Sequence, residues 1–102
     1  MAQTPEGKVK DAVKKILKSL NIYYFMPATG GYGRSGVPDI VCCMNGKFVA
    51  IECKAGLNQP TELQKREMEA IRMSGGVAVV INEGSVRGLA EFLIGLSNAR
   101  ST

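Results

Sequence analysis

Asn45-Gly46 lies between two apolar runs, Asp39-Ile40-Val41-Cys42-Cys43-Met44 and Lys47-Phe48-Val49-Ala50-Ile51, and this constrains the fold more than any other part of the sequence. Asn-Gly has the composition of a two-residue type I′ turn, which joins antiparallel strands with the right twist. With those two residues as the loop, Met44 faces Lys47, and counting back in pairs sets Asp39 opposite Glu52. Opposed residues share a face of the sheet, and side chains alternate along a strand. Asp39, Glu52 and Lys54 therefore gather on one face, while Cys53 points to the other.

Directly opposed carboxylates destabilise a strand pair by some tenths of a kcal/mol or more, and the flanking residues are otherwise apolar. Something must neutralise Asp39 and Glu52. A divalent cation with oxygen ligands does so, magnesium or manganese being the natural choices, and Lys54 is a partial remedy. The plain alternative is a solvated strand end carrying a surface ion pair.

At 102 residues the sequence reads as a single domain over 1–102. Thr4-Pro5-Glu6 opens a helix with threonine as N-cap and proline at the first position, and Val9, Val13, Ile16, Leu17 and Leu20 form its buried stripe. Glu6 extends that stripe, which points its carboxylate inward; an acid there also favours the helix dipole. Lys8, Lys10, Lys14, Lys15 and Lys18 read as the solvated side. Ile22–Met26 is β-branched and aromatic, a strand. Thr61-Glu62-Leu63-Gln64 is a capping box that opens a second helix to about Met73, with Gln64, Met68 and Ile71 on one face. Val77–Ile81 is apolar throughout and reads as a central strand, buried on both faces. Ser85 caps a last helix with Val86, Leu89, Ala90, Leu93 and Leu96 inward, leaving Phe92 and Ile94 as surplus apolar surface that suits a partner or, equally, reflects looser packing or a wider stripe. The expected fold is α/β, an α+β mixed sheet in the order αβββαβα.

The 13 Lys plus Arg against 9 Asp plus Glu give a net charge of +4, which permits a polyanionic partner. With no histidine, serine-histidine-aspartate and cysteine-histidine hydrolysis and histidine-metal chemistry are excluded. Chemistry must run on carboxylates, lysine, metal and water. Cys42, Cys43 and Cys53 form no CxxC pair, which argues against zinc and for a reducing, cytoplasmic setting. No apolar run approaches the roughly 20 residues of a membrane span. Gly31, Gly33 and Gly36 spell GxGxxG, but Val37-Pro38-Asp39 leads into a strand and not a helix, so a dinucleotide site is rejected. That segment reads instead as a mobile loop beside the site, whose Tyr32 and Arg34 could meet a base or phosphate, with a merely flexible loop as the alternative.

Gly36-Val37-Pro38-Asp39, then Glu52-Cys53-Lys54, then Gln64 and a Gly75-Gly76-Val77 strand entry, resemble the virus-type replication-repair nuclease domain, VRR-NUC, of the PD-(D/E)XK nuclease superfamily. The resemblance runs from about Glu6 to Ile81. It implies that Asp39 and Glu52 are metal-binding acids, that the Cys53 backbone carbonyl completes the protein ligands, and that Lys54 is the catalytic lysine. Glu6 matches a first-helix glutamate supporting the metal or its water, and Gln64 a glutamine bordering the site. Cys53 stands where related domains often carry a bulkier apolar residue, with no expected loss since it faces away from the cleft. The implied activity is Mg2+-dependent hydrolysis of DNA phosphodiesters, with Mn2+ able to substitute. Compact members resemble homodimeric enzymes of bacterial or virus-infected cells that act on branched DNA, so resolution of four-way (Holliday) junctions is the leading expectation. A flap or nicking nuclease, or a non-catalytic DNA-binding module, is the alternative.

Overall fold

The computed structural model describes residues 3–28 and 35–100. Helix α1 spans Pro5–Ser19, and strands β1, β2 and β3 span Tyr23–Phe25, Ile40–Met44 and Lys47–Cys53. Helix α2, Glu62–Met73, precedes strand β4, Val77–Ile81, and a 3-10 turn over Val86–Gly88 leads into α3, Leu89–Arg100. One sheet has the order β1-β2-β3-β4, the first three strands antiparallel and β4 parallel to β3. This is the expected mixed sheet in the order αβββαβα.

The turn chemistry sets the sheet. Asn45 and Gly46 have φ of 50° and 85°, the two left-handed residues a type I′ turn demands. Met44 pairs with Lys47 and Ile40 with Ile51, the register read from the sequence. The Asn45 side chain also donates to Ser97 Oγ on α3, tying the turn to that helix.

The faces follow from the pleat. Ile40, Cys42, Val49, Ile51, Cys53 and Ile81 pack under α1 and α3 with Val9, Val13, Leu17, Leu89 and Leu93. On the other face Val41, Ala50 and Ala78 meet Met68 and Ile71 of α2. Cys42 is accordingly buried and its neighbour Cys43 exposed. Helix α2 leaves part of that face uncovered: Tyr23, Cys43 and Phe48 pair across β1, β2 and β3, and Tyr23 and Phe48 are 73% and 49% exposed.

Two expectations are corrected. Strand β4 lies at the sheet edge, with Val80 exposed; β2 and β3 are the interior strands, and β3 is buried from Val49 to Cys53. An apolar run reports the burial its side chains favour and is silent on what lies alongside. Ser85 does not cap the last helix: a 3-10 turn intervenes, with no side-chain cap bond. Its hydroxyl instead accepts from Asn82 N at 3.0 Å, while Asn82 Oδ1 accepts from Gly84 N and Ser85 N, an Asx-type turn. Among the described residues, no helix is long and apolar enough to cross a membrane.

Candidate active site

The site forms where the β2–β3 hairpin ends. Asp39 immediately precedes β2, and one further step of the pairing that joins Ile40 to Ile51 sets it against Glu52. The two residues lock each other. Asp39 N donates to Glu52 Oε1 at 3.1 Å, and Cys53 N donates to Asp39 Oδ2 at 2.8 Å. Each carboxylate thus spends one oxygen on the opposite strand's backbone and keeps the other for something else.

What those second oxygens meet is the informative part. Glu52 is 1% exposed, and its Oε2 is buried with no hydrogen-bond partner among the described residues. An orphaned buried acceptor costs roughly 1–3 kcal/mol, more for a charged group. Asp39 Oδ1 faces a cation, Lys10 Nζ at 3.4 Å, and the same ammonium lies 3.9 Å from Glu6 Oε2. Burial, foremost, and the neighbouring Asp39 carboxylate raise the Glu52 pKa to about 8, although Lys54 pulls the other way.

Lys54 follows β3 on the same face as Glu52, half-buried, its backbone N donating to Ile81 O at 3.0 Å. The segment after it is fastened to the turn beyond β4. Gly56 N donates to Glu83 Oε1 at 2.6 Å, and Asn82 Nδ2 donates to Gly56 O at 3.3 Å. Cys53 is fully buried on the far side, as expected, and burial pushes its thiol up to about 12. That leaves its thiol inert and only its backbone for the site.

Gln64 makes the capping box read from the sequence: Thr61 Oγ1 accepts from Gln64 N at 3.2 Å, and Gln64 Oε1 accepts from Thr61 N at 2.9 Å. Its proximity to the Gly-Val-Pro-Asp segment has a steric origin. Gly36 has φ of +78°, and a Cβ there would fall 2.6 Å from the Leu63 carbonyl and 2.9 Å from Gln64 N. Only glycine lets this segment press against the first turn of α2.

Lys10 departs from the expectation of a solvated lysine face. It stands four residues after Glu6, so both side chains leave the same flank of α1. That spacing from an inward glutamate was the available signal. Glu6 consequently reaches Asp39 through Lys10. Tyr32 and Arg34 lie outside the described residues.

The donor set fits a divalent cation. Two carboxylates each offer an uncommitted oxygen, one desolvated and one already holding a positive charge. Among the described residues, no group of three or more His, Cys, Asp or Glu side chains gathers at one point. An ion would therefore complete its shell with backbone carbonyl and water, as hard cations do.

Comparison with known proteins agrees with this geometry. The model of the family described as "Archaeal holliday junction resolvase (hjc)" matches residues 24–80, more than half the chain and all of the hairpin. "Putative nuclease p44" of Acyrthosiphon pisum secondary endosymbiont phage 1 is 41% identical over 51 residues, covering 49% of this chain and 55% of that protein. The chain thus aligns with about half the length of this curated relative. A solved structure titled "VRR_NUC domain" superposes with a TM-score of 0.72 at 29% identity, covering 87% of this chain and 97% of its own. Nucleases of the PD-(D/E)XK type generally use divalent metals, in keeping with the donor set at the hairpin end. With its fold and the hairpin carrying Asp39 and Glu52 both matched, the chain belongs to the archaeal Holliday junction resolvase family of PD-(D/E)XK-like nucleases and has the VRR-NUC fold.

Proposed function

We propose that this protein is a Mg2+-dependent DNA endonuclease selective for branched DNA, acting on four-way junctions as a homodimer. The observation that carries the reading is the interlocked Asp39–Glu52 pair, with Glu52 Oε2 buried and, among the described residues, unpartnered. A structural ion pair has no use for a desolvated carboxylate oxygen, whereas a metal site does.

In this reading Asp39, Glu52 and the Cys53 carbonyl would hold the ion, with Glu6 in support. Mg2+, or Mn2+ in its place, would supply polarisation of the scissile phosphate and a water of lowered pKa when bound. Lys54 orients the attacking water and balances the charge that builds on the phosphate oxygens. Water oxygen bonds to phosphorus, the bond to the leaving alkoxide breaks, and that alkoxide takes a proton from solvent. Gln64, with Oε1 held by the helix cap, has its Nε2 hydrogens available to steady the phosphate or the water. A homodimer brings two such sites into a two-fold arrangement, which paired incisions across a junction require.

Labelled four-way junctions, flaps and linear duplex, incubated with Mg2+ or with a chelator, test the whole reading. Paired nicks near the branch point, only with Mg2+, are expected. Cutting of linear duplex at the same rate would reject branch selectivity. Mobility shifts without nicks in either condition would identify a binding module instead.

A further inference from the structure

Among the described residues, Lys10 is the cation in contact with Asp39, and neither the fold nor the cleavage chemistry requires it. Its stem leaves α1 at a half-buried position, next to the fully packed Val9 and Val13, and its ammonium sits between Asp39 Oδ1 and Glu6 Oε2. The other lysine pairs of this helix and of α2 behave differently. Lys14 with Asp11 and Lys65 with Glu62 are short-range pairs within one helix, whereas Lys10 crosses to another element.

We infer that Lys10 is a built-in counter-ion of the metal-free site, occupying the Asp39 oxygen that a divalent ion needs and yielding it when the ion enters. The inference rests on the metal reading of Asp39 and Glu52. Its physical basis is the crowding of negative charge. Asp39 Oδ1 and Glu6 Oε2 both face the Lys10 ammonium, and the Asp39 carboxylate also raises the cost of ionising Glu52 opposite it. A tethered ammonium screens them without leaving the protein. A divalent ion held there would bring twice that charge, and its repulsion of the ammonium would set the two in competition for Asp39 Oδ1. Lys10 therefore stabilises the empty protein and weakens metal binding by the same interaction, since whatever favours the metal-free state must be overcome on loading. A flexible four-carbon stem suits this role, because the head can withdraw without any backbone movement.

Calorimetric titration with Mn2+, together with melting temperature in chelator and in saturating Mn2+, tests this on four proteins: wild type, Lys10→Met, Lys10→Arg and Lys14→Met. Lys10→Met keeps the apolar stem and a good helix former, so folding is expected to survive. It should bind Mn2+ roughly tenfold more tightly, a difference of ~1.4 kcal/mol. It should melt lower than wild type in chelator, and the gap should close with metal. Lys10→Arg should stay within about twofold of wild type, since the charge is retained. Lys14→Met removes the same net charge from the same helix and should leave Mn2+ affinity unchanged, which separates a local counter-ion from the general field of the protein. Equal Mn2+ affinity in Lys10→Met and Lys14→Met, in a wild type that does bind the metal, would overturn the counter-ion alone. Weaker binding by Lys10→Met would do the same, by showing that Lys10 builds the site. Failure of both wild type and Lys10→Met to bind Mn2+ would overturn the metal reading, and the counter-ion with it.

Discussion

At the scale of single residues, Glu52 dominates because it is a carboxylic acid almost wholly removed from water. Its pKa is raised to about 8 in the folded protein from 4.5, so the folded state binds the extra proton between those values. Stability in chelator should accordingly be greatest below the unfolded value and fall as pH rises toward about 8, by no more than about 1.4 kcal/mol per pH unit. Denaturant melts across pH 5 to 9 would show it, and Glu52→Gln should flatten the slope. The same proton must leave when a cation binds, so metal affinity should climb over this range. Asp39→Asn should abolish Mg2+-dependent nicking yet remain folded, since an amide oxygen can still accept from Cys53 N. Lys54→Ala should lower cleavage by about a hundredfold or more, the usual cost of a charge aimed at a transition state. Retained cutting by either variant would remove it from the machinery. Lys10 shows why one part of this site was hidden in the sequence. A lysine four residues from a glutamate reads as an exposed helix pair, and only the folding of Asp39 against α1 turns it inward.

Among the elements, the hairpin was fully legible and β4 was only half so. Asn45 and Gly46 dictate register through backbone conformation, a local property that no tertiary contact had to supply. The position of β4 depends on how α2 crosses over the sheet, and no residue within Val77–Ile81 encodes that. Gly36 was visible as part of a motif but not as a contact. Gly36→Ala should destabilise the protein by roughly 2–3 kcal/mol in chemical unfolding, since its Cβ would enter the Leu63 backbone at a strained φ. At the start of α2, Gln64→Glu separates two roles. Glutamate preserves a capping box, so the melting temperature should hold, while loss of the amide donor should slow cleavage if that donor meets substrate or water. Unchanged kinetics would leave Gln64 as a cap alone.

For the whole molecule, the proposed homodimer needs a surface. Phe92 and Ile94 on α3 are 39% and 45% exposed, consistent with the surplus read from the helical pattern. Phe92→Glu combined with Ile94→Glu is expected to sediment as a monomer and to convert paired incisions into single nicks. Persistence of the dimer would point to the uncovered Tyr23, Cys43 and Phe48 row instead. The interlocking of Asp39 and Glu52 has a last consequence, for how the chain folds. Their two bonds span only 13 and 14 residues and close around a hairpin with a strong turn. Hairpins form in about 1–10 μs, long before a parallel strand such as β4 can dock. The reactive geometry should thus be in place in the folding transition state, with φ-values highest around Asn45 and low in β4. Changes elsewhere in the chain would then alter how long the site persists far more than how it is shaped.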